Sequence, residues 1–365
     1  MRVVICGGGV VGASVAYFLA RRGIAVTVVE RTGVACAASG KAGGFLALDW
    51  NDGTPLEALA RRSFELHARL AEELAGDWGY RRMRTYGGHS GFEGALHRNS
   101  PDLDWLSPAV TVSRPLGSPE TTAQVHPAQF AAAMMRTTEA LGAELRIGTV
   151  TGLARNGDTV TGAIVDGETV PGDAVVIATG PWSILAAQWL PLPPVFGLKG
   201  HSLVFETGNA VPPEAVFLEC RERGGAVQTP EIFPRPDGTT YVCAISSEAP
   251  LPRDPAAVAP DRGAIERLHT MCRDLSPALA GAKVLAAQAC YRPVARDGLP
   301  LIGAVPGVRG AYLATGHSVW GILNAPATGE ATAELIADGA AHTVDLSPFD
   351  PGRMRPLDPA RLRLR

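Results

Sequence analysis

The sequence predicts an α/β fold, α+β in overall arrangement, with one part built on a parallel sheet and another on an antiparallel sheet. Residues 3–6 and 174–178 are short, continuous apolar runs of the kind that parallel sheets bury on both faces. The first run is followed at once by a glycine-rich turn and a helical stretch, which is the order of a βαβ unit. Between residues 201 and 284, short strand-like segments alternate with prolines and turn residues, as in antiparallel sheets.

The opening βαβ unit carries a dinucleotide-binding fingerprint. The motif Gly7-x-Gly9-x-x-Gly12 lies between the first strand and a helix at residues 13–22, and the second strand ends on Glu30. The glycines permit a tight turn, close approach to a pyrophosphate and packing of the helix on the strand, while the helix N-terminus favours an anion. A carboxylate at position 30 can accept a hydrogen bond from a ribose hydroxyl and would repel a 2′-phosphate. We therefore predict a Rossmann-like unit that binds an adenine dinucleotide other than NADP.

The composition excludes several classes of protein. With 365 residues, of which 46% are apolar and 19% charged, the chain can bury a large core. The net charge of −3 provides no basic surface for nucleic acid, and no apolar run reaches the length of about 18 residues that a membrane span needs. The six cysteines are scattered without metal-binding spacing, so we predict no metal site, reduced thiols and a cytosolic location.

The remaining elements are predicted by residue spacing and by stop signals. A helix at residues 55–76 has leucines at helical spacing, with Pro55 in its first turn and Gly76 at its end. The pair Asp166-Gly167 between two apolar runs indicates a hairpin. Further predictions are a helix at 128–141, a strand at 144–150, hairpin strands at 160–165 and 168–170, and a helix at 260–274.

Residues 31–46 are dominated by glycine, alanine and serine. Such a stretch packs poorly as an ordinary helix or strand and suits a place where the backbone approaches a ligand closely. Ser39 and Lys41 can offer hydrogen-bond donors to phosphates or to the edge of a flavin ring. A flexible loop is the alternative interpretation.

Together with the opening fingerprint, Ser39-Gly40-x-Ala42-Gly43-Gly44 resembles the FAD-dependent family of D-amino-acid oxidases, glycine oxidases and sarcosine oxidases. The resemblance covers nearly the whole chain and implies FAD rather than NAD. It also implies a discontinuous FAD-binding domain, and a mixed antiparallel-sheet domain that covers the flavin and selects the substrate. The expected limits are 1–76, 125–195 and 285–345 for the FAD-binding domain, 77–124 and 196–284 for the substrate domain, and 346–365 for an irregular tail.

Residues 288–303 resemble the Arg-Pro … Asp-Gly-x-Pro … Ile-Gly signature of that family. The resemblance implies that Arg292 binds the substrate carboxylate. A guanidinium suits this role because its donors match a carboxylate bidentately and it stays charged. A salt-bridged structural arginine is the alternative.

Cys290 stands seven residues before Asp297. Sarcosine-oxidase-like relatives attach the flavin covalently through a cysteine at this spacing. Glycine oxidases have a small residue there and hold FAD without a covalent bond. A cysteine is also a good small buried residue, so both forms of attachment stay open.

Residues 310–338 predict a strand, a glycine-rich turn and a helix. The resemblance places the N-terminus of this helix at the flavin pyrimidine, where its dipole stabilises negative charge. Arg292 and His317 are the catalytic candidates. A role for His317 in tuning charge or oxygen reactivity stands beside a merely structural one. The predicted cofactor-binding residues are Gly7, Gly9, Val10, Val11, Gly12, Glu30, Arg31, Ser39, Gly40, Lys41, Ala42, Gly43, Gly44, Val150, Thr179, Gly180, Trp182, Cys290, Gly316, His317, Trp320, Gly321 and Ile322.

The resemblance implies oxidation of the C–N bond of a small-molecule amino acid or secondary amine, by hydride transfer to FAD with O2 as electron acceptor. One alternative is a dehydrogenase that uses another acceptor or acts on a hydroxy acid. A second is an FAD-stabilised interaction protein with little turnover. The oligomeric state is left open.

Overall fold

The structure is a computed structural model that describes residues 1–91, 103–222 and 224–362. Within these ranges the helices are α1 (Val10–Arg21), α2 (Glu57–Glu73), α3 (Pro127–Ala140), α4 (Arg262–Leu275), α5 (Pro277–Gly281) and α6 (Gly321–Asp338). The strands are β1 (Arg2–Cys6), β2 (Ala25–Glu30), β3 (Phe45–Ala47), β4 (Arg81–Arg82), β5 (Arg84–Ser90), β6 (Val110–Gly117), β7 (Thr122–Gln124), β8 (Glu144–Ile147), β9 (Val150–Asn156), β10 (Thr159–Val165), β11 (Glu168–Pro171), β12 (Ala174–Ile177), β13 (Val195–Glu206), β14 (Glu214–Arg221), β15 (Val227–Gln228), β16 (Glu231–Pro234), β17 (Thr239–Ser247), β18 (Lys283–Ala295), β19 (Leu301–Ala304) and β20 (Ala311–Thr315).

The opening apolar strand lies inside a six-stranded sheet with the order β19-β20-β12-β1-β2-β8. All its neighbouring pairs are parallel except β19 with β20. Because side chains alternate along a strand, Val3 and Ile5 pack in the core that contains the helices α1, α2, α3 and α6. Val4 and Cys6 pack on the other face, against the antiparallel sheet β9-β10-β11. Burial on both faces explains why these strands are continuously apolar.

The second large sheet has the order β18-β13-β17-β16-β14-β5-β6, with β15 paired to β14. Its pairs are antiparallel except β14 with β5, so the sheet is mixed. Helices α4 and α5 cover one of its faces with apolar side chains such as Leu268 and Leu279. The predicted α/β class with parallel and antiparallel sheets is confirmed.

The βαβ unit forms where the sequence predicts it, and the hairpin turns on Asp166 and Gly167, both at positive φ (50° and 87°), as a two-residue turn requires. The single strand predicted at 144–150 is wrong. The chain instead leaves the sheet at Gly148, whose N–H donates to the Glu30 carbonyl oxygen at 2.8 Å. Because β2 ends at Glu30, β8 has no partner beyond this point, and the chain turns into β9.

Helix α6 contains Pro326, which lacks the N–H that would bond to the Ile322 carbonyl. His67 from α2 supplies a donor instead, with its Nε2 2.9 Å from that carbonyl oxygen. The hydroxyl of Ser63 accepts from the Ala327 N–H at 3.0 Å. Two polar side chains of α2 therefore form hydrogen bonds with backbone groups in the first turns of α6.

Two further features concern the cysteines and the length of the helices. All six cysteines are free thiols. In the part of the chain that the structure describes, no helix combines the length and the apolar character needed to cross a bilayer.

Candidate active site

A cavity lies at the carboxyl ends of the parallel strands. Strands β1, β2 and β12 end at Cys6, Glu30 and Ile177, and these residues and those that follow them form part of its wall. Strands β13, β16, β17 and β18 of the mixed sheet form another part. The cavity contains about 1780 Å³ of space between atoms, including the portion open to solvent. This is the edge at which open parallel sheets bind ligands.

The glycine-rich turn presents unpaired N–H groups at the start of α1. The first helical bond runs from Ala13 N–H to the Gly9 carbonyl at 2.9 Å, and Val10 N–H donates to Ser39 Oγ at 2.9 Å. Among the described residues, the N–H groups of Val11 and Gly12 have no hydrogen-bond partner. Free N–H groups and the helix dipole make this turn suited to an anion.

Glu30 holds the turn in place from the end of β2. Its Oε2 accepts from Gly8 N–H at 2.7 Å, and its Oε1 accepts from Thr32 N–H at 2.9 Å. A carboxylate has about four acceptor positions, so Glu30 can still accept from a ribose hydroxyl in the cavity that it lines. The predicted contact with the ribose stays a prediction.

We expect Glu30→Gln to raise the dissociation constant for FAD about fivefold to tenfold. The amide keeps one acceptor oxygen and turns the other into a donor that repels a backbone N–H, at a cost of about 1–1.5 kcal/mol. Titration of apoprotein with FAD measures the change. The control is Glu168→Gln, whose side chain is 76% exposed on β11. Equal affinities for the two variants would contradict the role of Glu30.

Two side-chain hydrogen bonds connect the small-residue stretch to the mixed sheet. Lys41 Nζ donates to the Ala289 carbonyl at 3.3 Å, and Arg235 donates to the Ala42 carbonyl at 2.9 Å. A Cβ on Gly43 would lie 2.3 Å from the ring of Phe233. The stretch is therefore tied to the mixed sheet, and its glycine permits the close approach.

Arg292 extends from β18 over β13. Its guanidinium donates to Ser246 Oγ at 3.3 Å and lies 3.2 Å from where a Cβ on Gly200 would stand. It makes no ion pair with any residue that the structure describes, so most of its five donors are available to a ligand. Burial acts to lower the pKa of Arg292, but nearby Cys243 and Glu231 raise it, and the pKa ends above its usual value. The guanidinium is therefore a permanent cation at the cavity wall.

His317 is a buried neutral imidazole at the cavity wall. Its side chain is hydrogen-bonded to Thr328, with Nε2 2.9 Å from Oγ1. Burial lowers the pKa of His317 to about 4, so the ring carries no charge near neutral pH. Gly321 and Ile322, which also line the wall, are the first residues of α6, whose dipole favours negative charge there.

Cys290 lines the cavity from β18, opposite Gly200 in the register of β13. Burial raises the pKa of its thiol, while Arg292 and Lys41 act in the opposite direction more weakly. Because the thiolate is the nucleophile, a raised pKa disfavours a covalent bond to a flavin.

We therefore expect acid precipitation of the purified protein to release its flavin into the supernatant. Visible spectra of supernatant and redissolved pellet measure the distribution. A yellow pellet for the wild type and for Cys272→Ser, but not for Cys290→Ser, would show a covalent link and contradict this expectation. Cys272 is the control because it is buried between α4 and the mixed sheet.

Most residues that the sequence analysis assigned to cofactor or catalysis line this one cavity. They are Gly7, Gly9, Val10, Val11, Glu30, Arg31, Ser39, Ala42, Gly43, Val150, Thr179, Gly180, Trp182, Cys290, Arg292, His317, Gly321 and Ile322. The residues of that set that do not line it are Gly12, Gly40, Lys41, Gly44, Gly316 and Trp320. Three of these glycines permit close packing behind the wall, because an added Cβ would lie 1.9–2.2 Å from a backbone oxygen. Direct contact of each assigned residue with the cofactor stays a prediction.

The sequence analysis missed several wall residues of the mixed sheet. They are Gly200, His201, Glu231, Tyr241 and Cys243, together with Gly148 and Thr149 at the end of β8. No short motif marks them, because strand pairing between distant segments brings them together. The one available signal is Glu231, a charged residue at the start of the apolar run Ile232-Phe233.

The residues present fit an adenine dinucleotide that carries a flavin. The unpaired N–H groups of Val11 and Gly12 suit a pyrophosphate, and Glu30 suits a ribose. The same cavity continues to the N-terminus of α6 and to Arg292, where a redox-active ring and a substrate can meet.

Comparison with known proteins agrees with this fit. Residues 2–335 match the family described as DAO, FAD dependent oxidoreductase. An oxidoreductase of Schizosaccharomyces pombe is 29% identical over 96% of this chain and 97% of that protein, and a glycine oxidase of Pseudomonas aeruginosa is 28% identical over 97% and 99%. The crystal structure of glycine oxidase from Geobacillus kaustophilus superposes with a TM-score of 0.81, at 26% identity over 97% of this chain and 99% of that one. The chain belongs to the DAO family of FAD-dependent oxidoreductases.

Proposed function

We propose that this enzyme oxidises the C–N bond of an amino acid or a carboxylate-bearing secondary amine, with O2 as the final electron acceptor. The observation that carries the proposal is the position of Arg292 at the wall of the cavity. This permanent cation has no ion-pair partner in the described ranges. Its planar donors match a carboxylate bidentately. The similarity to glycine oxidases over nearly the whole chain supports an amino acid as the substrate class.

In the proposed mechanism, FAD held by the glycine-rich turn and Glu30 would supply the two-electron oxidant for the substrate carbon next to nitrogen. Arg292 binds the carboxylate and so fixes the orientation of that carbon. The N-terminus of α6 stabilises the negative charge that develops in the cavity. His317 stays neutral and acts as a hydrogen-bonding group rather than as a base.

Anaerobic mixing of the holoenzyme with a substrate panel tests the proposal. The panel pairs each amino compound with its oxygen analogue: glycine with glycolate, alanine with lactate, and sarcosine with methoxyacetate. We expect an amino compound to bleach the visible flavin absorbance, and air to restore it with formation of peroxide. If only hydroxy acids bleach the flavin, the substrate is a hydroxy acid and not an amine. If only a quinone or a dye reoxidises the flavin, the electron acceptor is not O2. If no compound in the panel bleaches the flavin, the protein is better described as one with little turnover.

A further inference from the structure

Glu231 faces the same cavity as Arg292 and has few partners of its own. It is the first residue of β16 and pairs in register with Cys243 of β17. The Cys243 thiol donates to Glu231 Oε2 at 3.4 Å, and no other hydrogen bond to this carboxylate is found among the described residues. The side chain is half-buried, and its accessible part belongs to the cavity wall. One carboxylate oxygen is thus free to bind a ligand.

Glu231 and Arg292 attract each other without touching. Burial raises the pKa of Glu231, and the positive charge of Arg292 acts in the opposite direction more weakly. Their charged atoms are nevertheless more than 4.0 Å apart, since the two form no ion pair. The cavity therefore presents a cation and an anion with a gap between them.

This arrangement favours a ligand that carries both charges. A partly buried carboxylate is costly unless a cation or donors compensate it. A hydroxy acid would satisfy Arg292 but would offer Glu231 only a neutral hydroxyl in place of a positive charge. A zwitterionic amino acid would satisfy both groups, because its carboxylate can bind Arg292 while its ammonium binds Glu231.

We propose that Glu231 binds the cationic nitrogen of the substrate and accepts one of its protons, so that the site selects amino compounds over hydroxy acids. The inference rests on the proposed function and names the residue that recognises the nitrogen of the substrate.

The proton transfer is a necessary part of the reaction, because an ammonium has no electron pair with which to form a C=N bond. One N–H bond breaks, its proton forms an O–H bond on Glu231, and the electron pair stays on nitrogen. The hydrogen on the neighbouring carbon then leaves with its electron pair to FAD, the oxidant. The nitrogen electron pair forms the C=N bond of the iminium product. A base of raised pKa suits such a transfer.

The test measures ligand preference in the holoenzyme by stopped-flow mixing under anaerobic conditions, from the rapid change in flavin absorbance on binding that precedes any bleaching. The probes are the matched pairs glycine and glycolate, and sarcosine and methoxyacetate. We expect the wild type to prefer the amino member, and Glu231→Gln to lower that preference about tenfold or more, since a charge-assisted hydrogen bond is lost. Glu219→Gln, on the exposed face of β14 in the same sheet, is expected to behave as the wild type.

The outcomes separate this inference from the proposed function. If the wild type oxidises no amine, yet Glu231→Gln loses the preference for the amino ligand, the proposed function fails and the role of Glu231 stands. If the wild type oxidises amines and Glu231→Gln keeps the preference and the KM, Glu231 is not the nitrogen-binding group. The kcat/KM of Glu231→Gln is expected to fall together with the preference, and Glu231→Asp is expected to restore part of both.

A measurement on the wild type alone applies if Glu231→Gln does not retain FAD. The preference for the amino ligand should disappear as the pH falls through the raised pKa of Glu231, where both ligands still carry ionised carboxylates. The other titratable groups near this carboxylate are Tyr241 and Cys243 from β17 and Arg292 from β18. None of the three changes its charge as the pH falls, because the pKa of each is raised above its usual value. A preference that does not depend on pH would overturn the inference.

Discussion

Replacement of Arg292 by alanine is expected to raise the KM for a carboxylate-bearing substrate about tenfold to hundredfold. The guanidinium is charged at any working pH and has one protein hydrogen bond among the described residues, to Ser246. A charge-assisted hydrogen bond contributes about 1.5–3 kcal/mol, and this is lost with the side chain. Steady-state kinetics with an amino substrate from the panel measures the change. Arg292→Lys keeps the charge without the planar fork, so an intermediate KM is expected.

Arg296→Ala is the matched control for this prediction. Arg296 is an exposed arginine just beyond the end of β18, four residues from Arg292. Its removal lowers the net charge by the same amount without changing the cavity wall. Equal KM values for Arg292→Ala and Arg296→Ala would remove Arg292 from the substrate site and leave it a structural residue.

The second large effect is expected for Gly12→Ala, which should lose most of its FAD and lower the melting temperature. An added Cβ would lie 1.9 Å from the Gly7 carbonyl oxygen, a backbone atom that cannot rotate away as a side chain can. The turn must therefore open, and overpacking of this kind costs about 1–3 kcal/mol. The same movement displaces the N–H groups at the start of α1. Flavin content per protein and thermal unfolding measure the two effects.

Gly33→Ala makes the same chemical change where an added Cβ meets nothing within 4 Å. This variant is expected to keep the flavin content and melting temperature of the wild type. If Gly12→Ala behaved in the same way, the close contact between α1 and the turn would not limit cofactor binding. A loss of flavin in both variants would point to the loop after β2 rather than to the turn.

Local sequence was sufficient for the elements whose geometry depends on near neighbours. The order of strand, glycines, helix and strand in residues 2–30 predicted β1, α1 and β2, because a βαβ unit is a continuous segment of chain. Asp166-Gly167 predicted its hairpin because only residues that tolerate positive φ fit a two-residue turn. The strand predicted at 144–150 was wrong because its end depends on where β2 ends, more than a hundred residues earlier.

Residues 7–44 were therefore sufficient to predict the binding of an adenine dinucleotide. The anion-binding turn, the acidic end of β2 and the small-residue stretch lie within one continuous segment, so their chemistry and their spacing can be read together. The signature around Arg292 added a cation whose role the family resemblance implied.

Only the tertiary structure decided which residues lie in the same cavity as Arg292. Glu231, Cys243 and Arg292 belong to strands β16, β17 and β18, and pairing across β13 brings them to one cavity. A strand shows only which residues share a face, while its register with distant strands selects which of them meet. Arg292 could therefore be predicted from the sequence. Glu231 could be assigned to the same cavity only from the pairing of the strands.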